Sequence, residues 1–202
     1  MLQELAEDIT FFLAKNKIID MDERDIYIYG FQLLISSLLI TITILFIGFL
    51  FNKFFLTILF VIVYVLLRAF TGGYHANYYW QCYLISNSIY ISVLIINYIV
   101  PQNNKIYIGL FAFIFSTIII LLFAPVENIQ NPKTEELTEK NKKISRFIVF
   151  VLSIIMILGH MINKDLIDLW FVISMAELAV AILILIPTIR RNRKWIKSSK
   201  QF

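Results

Sequence analysis

Cysteine, histidine and charge are scarce in this chain of 202 residues, which has one cysteine and two histidines. A single cysteine cannot form a disulfide within the chain, so the Cys82 thiol either packs as a small apolar group or takes part in chemistry. Only 16% of the residues are charged, and the sequence has no internal repeat and no soluble domain. A secretory signal is not expected, because Glu4, Glu7 and Asp8 interrupt the N-terminus and no small-residue cleavage site follows.

Apolar residues are abundant instead. They make up 59% of the chain and give it a mean hydropathy of +0.79, well above the usual share in a soluble domain. Six stretches reach or approach the roughly 20 residues that a helix needs to cross a bilayer. We therefore predict an all-α polytopic membrane protein in which residues 1–202 form a single transmembrane domain. Its six spans are expected at about 28–51, 54–70, 80–100, 106–124, 146–162 and 166–187.

The first twenty residues predict a further, shorter helix. Leu2, Leu5, Ile9, Phe12 and Leu13 recur at helical spacing, with acidic residues between them. An amphipathic helix over residues 1–20 would either lie on the membrane surface or dock on the protein. Its acidic polar face suits an anionic lipid surface poorly, which favours docking.

Basic residues are distributed unevenly over the loops. With six spans and an inner N-terminus, every one of the 18 lysines and arginines except Lys53, Lys105 and Lys164 falls on the inner side. Loops on the cytoplasmic side of a membrane are enriched in lysine and arginine. We therefore predict a multi-pass protein of the cell membrane, in contact with lipid, whose termini and 68–82 segment face the cytoplasm.

The polar segment RAFTGGYHANYYWQC, residues 68–82, separates two apolar spans and contains both His75 and Cys82. On one continuous helix, seven residues are close to two turns and would separate the two Cα atoms by about 10.5 Å along the axis. That distance is too long for an imidazole–thiolate contact. If the two residues act together, Gly72 and Gly73 bend a loop that carries His75, and Cys82 lies in the first turn or two of the third span.

Such an arrangement suits nucleophilic catalysis. A thiol near a helix N-terminus and beside an imidazolium ionises more readily, and the thiolate is the reactive form. Histidine can accept the thiol proton and later deliver it to a leaving amine. Structural roles stay open on these residues alone, since a lone cysteine near a helix end is more often a packing residue and an interfacial histidine is often a hydrogen-bonded anchor.

Other polar residues of the segment and its flanks could support this pair. Asn77, Gln81 and Ser86 could orient the imidazole or donate to an oxyanion, and so could the backbone N–H groups near Cys82. Polar residues continue into the third span and are expected to face the protein rather than lipid. Arg68 could bind substrate carboxylates, or it could extend its charge to the interface from the end of a span.

Two ionisable residues lie away from the segment. His160 falls near the outer end of the fifth span, across the membrane from His75, which argues against a His–His–Cys metal site. Glu177 lies midway along the sixth span and is either a polar packing contact or part of a solute path. We expect no metal, no cofactor and no nucleic-acid partner.

Arg68, the GGYHA run of residues 72–76, and Cys82 seven residues after His75 resemble the accessory gene regulator B (AgrB) family, the membrane cysteine endopeptidases of Gram-positive quorum sensing. Chain length and predicted span number are also similar. The resemblance implies that His75 and Cys82 are the catalytic pair and that the substrate is an AgrD-like propeptide. It further implies tail removal through a Cys82 acyl-enzyme, closure of a thiolactone or lactone, and a homodimer.

Two other classes of function remain alternatives. One is a non-catalytic membrane peptide transporter, in which Glu177, His160 and the polar face of the third span would line a path. The other is a membrane scaffold whose cysteine only packs. Cleavage of a propeptide tail that depends on Cys82 and His75 separates the peptidase from both.

Overall fold

The computed structural model describes residues 2–74, 78–126, 134–162 and 166–199. Over these ranges the fold is entirely helical, with seven α-helices, one 3-10 turn at Met21–Glu23 and no strand, so the prediction of an all-α protein is confirmed. The helices are α1 (Leu2–Lys15), α2 (Arg24–Leu50), α3 (Phe54–Thr71), α4 (Tyr79–Ile99), α5 (Gln102–Phe123), α6 (Glu135–Ile162) and α7 (Ile167–Ser199).

In the described part of the chain, five helices are long and apolar enough to cross a membrane: α2, α3, α4, α5, and α7 as far as Ile189. Large apolar side chains such as Phe46, Phe111 and Leu122 are exposed on their outer surfaces. A soluble monomer rarely exposes apolar surface on this scale, whereas lipid would cover it favourably. The fold is therefore that of a multi-pass membrane protein.

Two helices extend well beyond the apolar stretches that hydropathy detects. α6 begins at Glu135, although the fifth span was expected from residue 146, because the charged sequence EELTEKNKK forms helix without being apolar. In the same way α7 continues past residue 187 into the basic C-terminal sequence. α6 is not among the five apolar helices found over the described residues, so the fifth span, expected at 146–162, stays a prediction.

The N-terminal helix α1 ends at Lys15, short of the expected residue 20, and packs against α2. Its buried residues are Ala6 and Thr10, and the Thr10 hydroxyl donates to the Ala6 carbonyl at 2.7 Å. Leu5 and Phe12, two members of the predicted apolar face, are exposed. Part of the apolar face of α1 therefore remains exposed, although the helix packs against α2.

α7 is the central helix of the bundle and packs against α3, α4, α5 and α6. Between Phe171 and Val180 every residue except Leu178 is buried. Small residues such as Ala176 and Ala179 let the neighbouring helices approach closely, as is usual in membrane bundles.

Side-chain hydrogen bonds attach α4 to its neighbours. The Tyr79 hydroxyl donates to Gln32 Oε1 at 2.7 Å, and the Tyr83 hydroxyl donates to Thr43 Oγ1 at 3.1 Å, so two successive turns of α4 are held to α2. Because these two residues lie on either side of Cys82 in the sequence, they fix the start of α4 against the bundle.

The opposite end of the bundle is closed by an ion pair. Lys105 at the start of α5 lies 2.5 Å from the Asp168 carboxylate at the start of α7, and the lysine side chain is only 5% exposed. From the sequence, Lys105 is expected to be no more than a charge in an outer loop. In the structure Lys105 is buried and links α5 to α7. Burial of its ammonium group is tolerated because the Asp168 carboxylate is its ion-pair partner.

Candidate functional site

The helix break predicted between Arg68 and Cys82 is confirmed. α3 ends at Thr71 and α4 begins at Tyr79, so Cys82 lies in the first turn of α4. The two glycines have φ angles of +67° at Gly72 and +114° at Gly73, a region that residues with a Cβ rarely adopt. His75 and Asn77 lie outside the described residues, so the contact between the imidazole and the thiol stays a prediction.

The glycine segment is attached to the end of α5. The Val126 N–H donates to the Thr71 carbonyl at 2.9 Å, and Gly72 forms an isolated parallel bridge with Val126. A Cβ built on Gly72 would overlap the Val126 carbonyl oxygen. The close approach of these two backbones therefore depends on glycine at this position.

Arg68 clamps the same segment from within α3. Its Nη1 donates to the Gly72 carbonyl at 2.5 Å, and its Nη2 donates to the Tyr74 carbonyl. A Cβ on Gly73 would overlap Nη1. The guanidinium therefore turns back onto its own chain instead of extending to the interface, and carboxylate binding by Arg68 stays a prediction.

A third attachment reaches the central helix. The Tyr74 backbone N–H donates to the Leu183 carbonyl of α7 at 2.7 Å. The residue directly before His75 is thus held by its N–H to α7 and by its carbonyl to Arg68. Three helices that are distant in sequence meet at this segment, which places the ends of α3 and α5 beside the later part of α7.

The surroundings of Cys82 are partly polar. Cys82 is a free, half-buried thiol, and Arg68 and Tyr64 of α3 lie close enough to interact with it electrostatically. Ser86 is buried one turn further along α4 and interacts with Tyr64. Gln81, the residue before Cys82, is half-buried. The Cys82 thiol is therefore partly exposed and also has the polar neighbours Arg68 and Tyr64.

Tyr64 is a site residue that sequence reasoning missed. It is buried, and it lies one helical turn before Arg68, a spacing that puts both side chains on one face of α3. That spacing is the one signal that could have identified it. Without the packing of α3 against α4, a tyrosine inside an apolar span cannot be distinguished from an ordinary core residue.

The backbone N–H groups near Cys82 are only partly available. The N–H groups of Gln81 and Cys82 both donate to the Tyr78 carbonyl, at 3.1 and 3.3 Å. The N–H groups of Tyr79 and Trp80 belong to the first turn, where N–H groups have no partner within the helix. Of the backbone N–H groups expected to donate to an oxyanion, those of Tyr79 and Trp80 therefore remain the candidates in α4.

Polar residues of α4 divide between two environments. Ser86, Asn87 and Asn97 are buried and so follow the expectation that they face the protein. Ser88 and Ser92 are exposed, and the Ser92 hydroxyl donates to the Ser88 carbonyl at 2.7 Å. For these two serines the expectation was wrong, because a hydroxyl can satisfy itself on its own helix without a partner elsewhere.

The two remaining ionisable candidates are Glu177 and His160. Glu177 is fully buried in α7, and its Oε1 accepts from the Thr117 hydroxyl at 3.0 Å, while Oε2 has no hydrogen-bond partner among the described residues. The His160 side chain lies outside the part of the chain that the structure describes. Within that part, no group of three or more His, Cys, Asp or Glu residues could hold a metal ion.

Known proteins similar to this chain belong to one group. A family model described as accessory gene regulator B (AgrB) matches residues 6–193. An AgrB-like protein of Clostridium perfringens (strain SM101 / Type A) is 28% identical over 172 residues, which cover 82% of this chain and 80% of that protein. AgrB-like protein 2 of Clostridium perfringens (strain 13 / Type A) is 29% identical over 165 residues, covering 79% and 77%. No solved structure matches the chain.

Proposed function

Because the chain belongs to the AgrB family, we propose that it is a membrane cysteine endopeptidase that removes the C-terminal tail of an AgrD-like propeptide and cyclises the signal segment. Family membership indicates a part in agr quorum-sensing peptide processing, with an AgrD-like propeptide as the partner. The observation that supports the proposal most is the position of the only cysteine, half-buried in the first turn of α4 beside a loop that is anchored directly before His75.

The first step is acyl transfer from the propeptide to the enzyme. His75 accepts the Cys82 thiol proton, and the thiolate sulfur attacks the carbonyl carbon at the end of the signal segment. The C–N bond to the tail then breaks, and the same imidazole delivers the proton to the departing amine. The product is a thioester between the signal segment and Cys82, together with the free tail.

The second step closes the ring. A cysteine or serine inside the bound segment attacks the thioester carbonyl, which gives a thiolactone or lactone and returns the Cys82 thiol. Exchange of a thioester for a thiolactone is close to isoenergetic, whereas formation of a thioester from an amide is uphill, so removal of the released tail would drive the reaction. Water must be kept out, because hydrolysis of the thioester would give a linear peptide.

The neighbouring residues have supporting roles in this proposal. Arg68, Gly72 and Gly73 hold the loop that carries His75, as their contacts with Tyr74 and Val126 suggest. The Tyr64 hydroxyl, which interacts electrostatically with Cys82, is proposed to donate to the substrate carbonyl oxygen as it becomes negatively charged. The remaining supporting candidates are Asn77, Gln81 and Ser86.

The membrane arrangement is part of the proposal. We place all of residues 1–202 in one transmembrane domain, with α6 as the fifth of six spans and α1 as the amphipathic helix. Both termini and the active site face the cytoplasm, and two chains form a homodimer. The attachments of Tyr74 to Leu183 and of Val126 to Thr71 support one common membrane side for the loops after α3 and α5.

Co-expression with the cognate propeptide tests the function. The wild-type chain should release the tail, and Cys82→Ser and His75→Ala should not, whereas Ser92→Ala, an exposed change on the same helix, should behave as the wild type. The wild type should also carry an SDS-stable acyl adduct that hydroxylamine removes. Tail release by a stably inserted Cys82→Ser variant would refute the peptidase. A transporter or scaffold would leave the propeptide intact with every variant.

A further inference from the structure

A proline interrupts the hydrogen bonding of α7 beside the candidate site. Pro187 lies inside this helix, which continues to Ser199. Proline has no N–H, and its ring crowds the carbonyl four residues earlier in a helix. In α7 that carbonyl belongs to Leu183, so this oxygen has no donor at its usual helical position.

The Leu183 carbonyl is nevertheless satisfied. Leu183 is only 3% exposed, and a buried carbonyl without a donor is costly, most of all in a membrane protein. The donor is the backbone N–H of Tyr74, at 2.7 Å. A Cβ on Gly73 would lie 3.0 Å from the same oxygen, so glycine permits the approach.

The hydrogen bond between the Tyr74 N–H and the Leu183 carbonyl fixes the backbone directly before His75. The Tyr74 carbonyl is held by Arg68 and its N–H by Leu183, so both backbone polar groups of this residue are anchored. His75 follows directly, and covalent geometry keeps consecutive Cα atoms about 3.8 Å apart. At the other end, Tyr79 is held to Gln32 of α2, close to Cys82.

We propose that Pro187 is a positioning residue for the acyl transfer described above, on which this inference rests. By removing the helical donor from the Leu183 carbonyl, Pro187 provides the acceptor that anchors Tyr74 and with it the start of the segment that carries His75. Pro187 acts through the backbone of another helix and does not touch the substrate.

Pro187→Ala restores an N–H at position 187, which competes with Tyr74 for the Leu183 oxygen. One hydrogen bond of this kind corresponds to about a three- to tenfold change in an equilibrium, and small misplacements of catalytic groups reduce rates at least as strongly. We expect the single-turnover rate of tail release to fall about three- to tenfold. The half-saturating propeptide concentration should stay unchanged, because the substrate contacts are not altered.

The direct readouts do not depend on turnover. The Tyr74 amide should lose hydrogen-exchange protection. Iodoacetamide labels only Cys82, the single cysteine, and its reaction at neutral pH should slow by a similar factor. The thermal midpoint in detergent should be equal or higher, since alanine is the strongest helix former and proline the weakest. If Pro187 had only a structural role, its replacement would lower activity only together with stability. A positioning role predicts lower activity at an equal or higher thermal midpoint.

Two further variants make the test specific. Pro187→Leu also restores the N–H but has a larger side chain, so it should lose as much activity as Pro187→Ala. Ile182→Ala changes an exposed residue next to Leu183 and should leave every readout unchanged. The inference is overturned if Pro187→Ala reacts at the wild-type rate, if the two Pro187 variants differ according to size, or if the loss follows a lower thermal midpoint.

Cys82→Ser in the same assay separates this inference from the proposed function. If Cys82→Ser is inactive while Pro187→Ala keeps the wild-type rates and Tyr74 protection, only the role of Pro187 is wrong. If Cys82→Ser still releases the tail, the peptidase mechanism fails and the positioning role fails with it.

Discussion

Gly73→Ala is the substitution for which the structure gives the sharpest prediction. Gly73 has a φ of +114°, and a Cβ there would overlap Arg68 Nη1 and lie 3.0 Å from the Leu183 carbonyl oxygen. The side chain cannot be accommodated by a small shift of a flexible group, because one neighbour is backbone and the other is a guanidinium that already holds two carbonyls. The segment therefore has to leave its position.

The cost can be estimated from these contacts. A strained backbone at a residue with a Cβ costs about 1–3 kcal/mol, and losing a hydrogen bond to a charged group costs about 1.5–3 kcal/mol. Together they amount to about 2.5–6 kcal/mol, and the roughly 2.7 kcal/mol that corresponds to a hundredfold change lies at the lower end of that range. The segment should detach before the bundle unfolds, since Tyr74 and Val126 only border a core that is built almost entirely from helix residues.

The expected result is at least a hundredfold loss of tail cleavage with normal membrane insertion and a thermal midpoint close to that of the wild type. Gly30→Ala is the matched control, because a Cβ at Gly30 in α2 meets no atom within 4 Å; it should keep full activity. Cleavage is measured on equal amounts of inserted protein. Wild-type cleavage by Gly73→Ala, or an equal loss in Gly30→Ala, would show that the segment is not held as described.

Three further changes test neighbouring contacts. Arg68→Lys should lower cleavage about tenfold, because an ammonium group cannot span the Gly72 and Tyr74 carbonyls as the guanidinium does; wild-type cleavage would contradict the clamp. Tyr64→Phe should reduce the acylation rate about tenfold at unchanged Cys82 alkylation, and an unchanged acylation rate would exclude the hydroxyl as a donor. Thr57→Val removes the 2.5 Å contact with the Tyr90 hydroxyl and should lower stability by about 1–3 kcal/mol in thermal unfolding, without changing the specific activity of folded protein.

Local signals were enough for much of the fold. Long apolar runs predicted α3 and α4 to within a residue or two, because a helix that crosses lipid must be apolar along most of its length. The spacing of His75 and Cys82, with two glycines before them, predicted the break between Thr71 and Tyr79. Each of these predictions depends on residues that are close together in sequence.

The contacts that hold the site could not be predicted in this way. The bonds from Tyr74 to Leu183 and from Val126 to Thr71 join backbone groups, which carry no residue-specific signal, across long separations in sequence. The direction of Arg68 depends on those same backbone groups being within reach. Charged helix extensions at the start of α6 and the end of α7 were missed for a different reason, because hydropathy measures apolarity and not helix formation.

The attachment of the loop to α5 and α7 through main-chain groups has a consequence for sequence divergence. A bond between an N–H and a carbonyl survives the exchange of one side chain for another, so the attachment itself does not depend on which side chain stands at position 183, or at position 126 as long as that residue is not proline. Constraint then falls on the few positions where a side chain itself matters: Arg68, Gly72, Gly73 and Pro187. A geometry encoded by so few identities can persist between proteins that share little more than a quarter of their residues, as this chain and its Clostridium perfringens relatives do.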